Sequence, residues 1–205
     1  MTYPISFAGA RFQARPSGAL FWPAQGALIA ADLHLGKSAR MARRGGALLP
    51  PFETSQTLDL LTAEVAATDP RRVILLGDVF DDDQAAAEIP PEATARMAAL
   101  ARGRDWQVLA GNHDPGSGDG DVHIAGIALR HIAGEGPDIS GHYHPKFRHR
   151  RKGWRCFLVS DRHLILPAFG TYTGGLWHDA PALRALVPTG LAITTDAGML
   201  AFPVG

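Results

Sequence analysis

The side chains best able to hold metal ions fall in four short clusters within the first 144 residues: DLHLGK with Asp32 and His34, GDVFD with Asp78, GNHD with Asn112 and His113, and GHYH with His142 and His144. His131 stands by itself between the last two clusters. Leaving His113 aside, the set is two carboxylates, one amide and four imidazoles, enough to bind two divalent cations. Oxygen donors mixed with imidazole nitrogens suit manganese, iron, zinc, cobalt or nickel better than a thiolate-preferring ion or an all-oxygen calcium cage. A carboxylate such as Asp78 can bridge two ions roughly 3.5–4 Å apart, an arrangement that activates water for attack on phosphorus and neutralises the charge that builds there.

Such scattered residues converge only if the fold presents them together. Each cluster follows a short apolar run, at residues 27–33, 73–76, 107–110 and 127–129, and these runs read as core strands. Reactive side chains at strand ends share one edge of a rigid sheet although they are far apart in sequence. If the first strand continues through residue 33, its period of two places Asp32 and His34 on one face. Helical patterning at 54–67 and 91–102 separates the first strands, giving a first half of alternating strand and helix. After Gly111 short strands dominate, at 154–160, 163–166, 191–194 and 199–202. Both halves fit one α/β domain spanning 1–205, an αββα layered sandwich of two mixed sheets face to face with helices outside.

The ordered series D-x-H, G-D-x-x-D, G-N-H-D, lone histidine and G-H-x-H, from Asp32 to His144, resembles the calcineurin-like metallophosphoesterase superfamily. The resemblance implies one ion held by Asp32, His34, Asp78 and His144, and a second by Asp78, Asn112, His131 and His142. It implies two divalent ions per chain, with Mn2+ the first expectation and Fe, Zn, Co or Ni the alternatives. It also makes His113 the residue that contacts the scissile phosphate and assists the leaving oxygen, with Asp114 orienting it. The lone histidine of that pattern is usually followed by glycine, whereas Ile132 follows His131 here. His123 is the rival, but His131 stands at the end of the better strand.

The segments ALFWPAQGALIAADLHLGKSARMARRGGALLPP and LILPAFGTYTGGL extend the resemblance to the DNA ligase-associated metallophosphoesterases, the PdeM family. That resemblance implies a phosphodiesterase of DNA repair, an endonuclease, with DNA as substrate and an ATP-dependent DNA ligase and a helicase as partners.

Composition sets bounds on these expectations. A chain of 205 residues, 46% hydrophobic and with 20 basic against 20 acidic residues, is ordinary for a globular domain. Such a chain buries roughly 70% of its unfolded surface, so its core requires no structural metal. The single cysteine, Cys156, makes no internal disulfide, and no run approaches the roughly 20 apolar residues of a membrane span, so a cytoplasmic protein without a membrane partner is expected. Neutrality overall hides a basic run at 146–155, KFRHRRKGWR, directly after the GHYH ligands. There Arg148, Arg150 and Arg151, interleaved with aromatics, are candidate contacts to a nucleic-acid backbone, and Lys37 is a further phosphate candidate. A charged face on an exposed hairpin is the competing reading of this run. Arg40, Arg43 and Arg44 could extend the same surface, although an amphipathic helix explains them equally well. Asp81 reads as a support for the site rather than a ligand, and TYTGGL as a tight turn near it. Two other functions use the same residues: a phosphoesterase for a small-molecule or lipid-linked phosphate, and a non-catalytic metal-binding scaffold.

Overall fold

The computed structural model describes residues 2–46, 48–149, 151–195 and 198–205. The chain opens with an antiparallel meander that the apolar patterning does not anticipate: β1 (Tyr3–Phe7), β2 (Ala10–Ala14) and β3 (Leu20–Trp22). Ala8 and Gly9 join β1 to β2 with φ of 47° and 77°, the positive pair required by a two-residue hairpin turn whose twist matches that of the strands. β4 (Ala27–Ala30) pairs with β3, and β5 (Arg72–Leu75) and β6 (Asp105–Val108) then add in parallel. Parallel neighbours need crossovers. α1 (Lys37–Arg43) and α2 (Glu53–Thr68) supply the first; α3 (Asp83–Ala87) and α4 (Pro91–Ala101) supply the second.

The second sheet contains β7 (Val122–Ile124), β8 (Ile127–Arg130), β9 (Asp138–Ser140), β10 (Lys146–His149), β11 (Lys152–Val159), β12 (His163–Ile165), β13 (Gly190–Thr194) and β14 (Ala201–Val204). β8–β9 and β9–β12 are parallel, and its other pairings are antiparallel. α5 (Pro181–Leu186) lies between β12 and β13 in sequence.

Side-chain alternation assembles these elements into the expected αββα layers. In β4, Ala27 and Ile29 enter the core between the sheets beside Ile74, Leu129 and Phe157, while Leu28 and Ala30 face Leu58, Leu61 and Leu100 of the helical layer. On the outer face of the second sheet, Leu158, Ile165 and Ala192 pack with Leu183 and Val187 around α5. No helix of the described residues is long and apolar enough to cross a membrane.

Phe157 is wholly buried where the two sheets meet. Phe157→Ala leaves a cavity that the surrounding strands cannot close, and urea unfolding is expected to show a loss of about 3–5 kcal/mol. A loss below about 1 kcal/mol would mean that the sheets are not locked through this residue.

Candidate metal centre

The strands of the first sheet stop before the residues they present. β4 ends at Ala30, so Asp32 and His34 stand on a loop, and strand alternation is not what aligns them. Both instead have left-handed backbones, with φ of 56° and 48°, separated by Leu33. The loop runs beside residues 77–81 as an irregular continuation of the β4–β5 pairing. Asp32 N–H donates to the Gly77 carbonyl, His34 N–H to that of Asp78 and Leu35 N–H to that of Val79 (2.9–3.2 Å). Asp81 N–H returns a bond to the Leu35 carbonyl (3.0 Å). Asp78, His142 and His144 also have positive φ, so five of the seven proposed ligands lie in a region that side chains seldom enter. Such strain persists where the surroundings over-determine it, as they do here, and it concentrates at functional sites.

Two groups of ligand atoms result. Asp32, His34 and His144 form one and Asp78, His131 and His142 the other, with the atoms of each group within 4.8 Å of one another. Asp78 Oδ2 lies 3.9 Å from His34 Nε2 and 3.4 Å from His131 Nε2, so one carboxylate oxygen faces both groups. Asn112 brings its side-chain oxygen 2.9 Å from His131 Nε2. The donor set fits two divalent ions sharing Asp78. The imidazoles are prepared for that role by what lies behind them. His131 donates from Nδ1 to the Leu76 carbonyl at 2.8 Å, turning Nε2 inward. His34 Nδ1 sits 2.9 Å from Asp81 Oδ1, although its N–H points off the line to that oxygen, making the attraction electrostatic more than directional.

Charge balance accounts for the titration of these groups. Burial would raise Asp78, but the hydrogen bond with His131, the His113 N–H and the neighbouring imidazoles outweigh it and hold the carboxyl at about 2. Asp81 is fully buried, and contact with His34 together with the charges of Lys37 and Arg40 holds it well below the usual carboxylate range despite its burial. Burial would lower His131, yet Asp78 and Asp32 raise it; His142, with burial and the His131 charge acting together, is lowered.

The remaining candidates fall into place unevenly. His131 directly follows β8 and is 6% exposed, and Gly77, at φ 77°, packs so closely on it that a Cβ there would stand 2.7 Å from His131 Nδ1. The rival His123 is exposed, whereas His131 Nε2 lies 3.4 Å from Asp78 Oδ2. His113 gives its backbone N–H to Asp78 Oδ1 (2.9 Å), and its ring lies 5.2 Å from that of His34.

Asp114 does not orient His113, contrary to the expectation. Its carboxylate is buried and accepts the backbone N–H groups of Asp78 (3.1 Å) and Phe80 (3.0 Å), while Nδ1 of His113 faces the Asp81 carbonyl (3.1 Å). Burial, reinforced by the Asp78 charge, raises the Asp114 pKa. Lys37 Nζ is drawn to Asp81 (3.4 Å), and Arg40 and Arg43 bind Asp81, Asp82 and Glu88, so these helix cations tie α1 to the loop before α3 and to α3's end.

The basic run forms the β10–β11 hairpin, in which Arg148 and Arg151 are exposed; Arg150 lies outside the described residues. Sequence reasoning overlooked Trp177, which the Lys146 ammonium and the Arg148 guanidinium overlie at 4.7 and 4.4 Å from the ring centre. Its signal was an aromatic following paired glycines, too common a pattern to assign alone.

Asp81 backs a proposed ligand while neutralising two cations. Asp81→Asn is expected to weaken Mn2+ binding, measured by titration calorimetry, about 10–100-fold with the fold retained. Unchanged affinity would remove Asp81 from the support of the site.

Comparison with known proteins agrees with this geometry. No curated protein sequence matches the chain. Among solved structures, the crystal structure of the Pseudomonas putida nuclease MPE is similar, at 28% identity and a TM-score of 0.75, with 100% of each chain covered. The model of the family described as calcineurin-like phosphoesterase matches residues 27–188, which include every proposed ligand, and the chain belongs to that family.

Proposed function

We propose that this chain is a manganese-dependent phosphodiesterase that cleaves DNA, acting as an endonuclease in the cytoplasm during repair. The observation that carries the reading is the Asp78 carboxylate, shared between two groups of imidazole and carboxylate ligands and bonded through its other oxygen to the backbone of His113. Two divalent ions held there would supply Lewis-acid charge to the phosphoryl oxygens and activate water at neutral pH. His113 supplies the proton chemistry. Because its Nδ1 faces the Asp81 carbonyl, that nitrogen keeps its hydrogen, and Nε2, having first taken up a proton from solvent, is the atom that passes it to the leaving oxygen.

DNA as substrate is supported by two further features. The nuclease MPE is similar along its whole length, and the β10–β11 hairpin begins two residues beyond His144 with Lys146 and Arg148 gathered on Trp177. Cations beside an aromatic ring suit a polyanion carrying bases. Resemblance to the ligase-associated PdeM family supports the role in repair and an ATP-dependent DNA ligase and a helicase as partners.

Asp78→Asn and His113→Ala should separate the two contributions. With Mn2+, Asp78→Asn is expected to abolish hydrolysis of both DNA and an activated p-nitrophenyl diester. His113→Ala is expected to slow DNA cleavage about 10²–10⁴-fold. It should spare the activated diester, whose leaving group departs without a proton. Near-normal DNA cleavage by either variant contradicts the mechanism.

A further inference from the structure

The loop from Gly170 to Leu176 is anchored on the metal centre at both ends. Gly170 N–H donates to the Asp32 carbonyl (3.1 Å), and a Cβ there would stand 2.0 Å from the Leu33 carbonyl oxygen. A Cβ on Gly175 would stand 2.0 Å from the His144 carbonyl oxygen, and Leu176 N–H donates to the Tyr143 carbonyl (3.2 Å). Between these anchors Thr171 N–H donates to Thr57 Oγ1 (3.2 Å), Thr171 Oγ1 to the Glu53 carbonyl (3.2 Å), and Thr173 Oγ1 to the Gly170 carbonyl (2.9 Å). The loop is therefore fixed against the backbone of ligands from both proposed groups.

Tyr172 sits at its centre, 44% exposed and held at φ 57°. An aromatic residue pays for a left-handed backbone that glycine adopts freely, and glycine is used three times nearby, at 170, 174 and 175. Local turn geometry accounts for other such residues: Ala8, Ala125 and Arg151 lie in hairpin turns, and Asp69 caps α2. Tyr172 lies in the turn at 171–172 but in no hairpin, and it is not part of the buried core. Two residues of chain reach at most about 7 Å, so Tyr172 stays close to Gly170, which touches the Asp32 backbone. Phe52, 60% exposed, directly precedes Glu53, whose carbonyl anchors Thr171.

We infer that Tyr172 is a substrate-binding residue on which the base of a nucleotide flanking the scissile phosphate stacks. The inference rests on the phosphodiesterase reading above. An exposed aromatic ring offers its face to any base, and the fixed loop holds it in register with the metal centre, so stacking there positions the phosphate next to the unpaired nucleobase.

The test compares wild type, Tyr172→Phe and Tyr172→Gly with Mn2+ on three substrates: a labelled deoxyoligonucleotide, the same length of oligonucleotide made abasic throughout, and a small diester without a base. Wild type and Tyr172→Phe should prefer the base-bearing strand. Tyr172→Gly should lose about tenfold in kcat/KM on that strand, chiefly through KM, and most of its preference over the abasic strand. Its rate on the small diester should match wild type, and its melting temperature should stay level or rise, because glycine relieves the strain. A merely structural tyrosine would lower the melting temperature and all three rates together, which overturns the inference, as does a Tyr172→Gly enzyme that keeps wild-type KM and base preference. If wild type hydrolyses none of the three substrates, the phosphodiesterase reading falls and this inference with it.

Discussion

The arrangement depends on one pairing of irregular backbone, the hydrogen bonds between residues 32–35 and 77–81. There the β4–β5 ladder abandons strand geometry but continues to exchange N–H and carbonyl groups, so the backbone N–H groups of Asp32 and His34 stay hydrogen-bonded although Asp32, His34 and Asp78 adopt left-handed φ. The strain is held by close packing of glycines that admit no side chain. On Gly111 a Cβ would meet Asp78 Oδ1 at 2.2 Å and Asp114 Oδ1 at 2.6 Å. The glycines of the GNHD and GHYH clusters thus serve to bring backbones together around the ligands, with Gly141 equally close to Asp32.

Four buried carboxylates, those of Asp32, Asp78, Asp81 and Asp114, occupy this small region, and each is compensated differently. Both oxygens of Asp32 accept the His142 N–H. Asp81 faces Lys37 and Arg40 and so fastens α1 to the site. Asp114 spends its charge on two backbone amides, which explains why it braces the Asp78 loop rather than a catalytic imidazole. Asp78 Oδ2 faces Nε2 of an imidazole from each group, as befits the carboxylate that two cations would share, whereas Asp32 meets His131 only at Nδ1, the nitrogen given to the Leu76 carbonyl. The site is therefore an interior concentration of negative charge whose neutralisation falls to imidazoles, two helix cations and the metal ions the ligands fit.

The candidate ligands that the structure gathers into two groups were legible in the sequence, because metal chemistry restricts residue type and the clusters DLHLGK, GDVFD, GNHD and GHYH each carry their own signature. The αββα layering was legible for a similar reason: apolar runs such as 73–76 announce buried strands, and β5 appears within one residue of that run. Geometry at the ends of those runs was not. Nothing in ALIAADLHL distinguishes a strand continuing through Leu33 from one that stops at Ala30, since the deciding contacts come from residues 77–81 and 169–170. The N-terminal meander escaped notice because β1 and β2 expose alternate residues and are only five residues each. Asp114 was misread and Tyr172 passed over for one physical reason: the contacts that place them are remote in the chain, Asp114 with Asp78 and Phe80, and the loop of Tyr172 through Gly170 with Asp32.

The central claim is that Asp78 is shared by two metal ions, and anomalous scattering from crystals grown with Mn2+ tests it most directly. Two peaks are predicted roughly 3.5–4 Å apart, one among Asp32, His34 and His144 and the other among Asn112, His131 and His142, with Asp78 touching both. A single peak, or a pair that leaves Asp78 without a metal contact, would contradict the account.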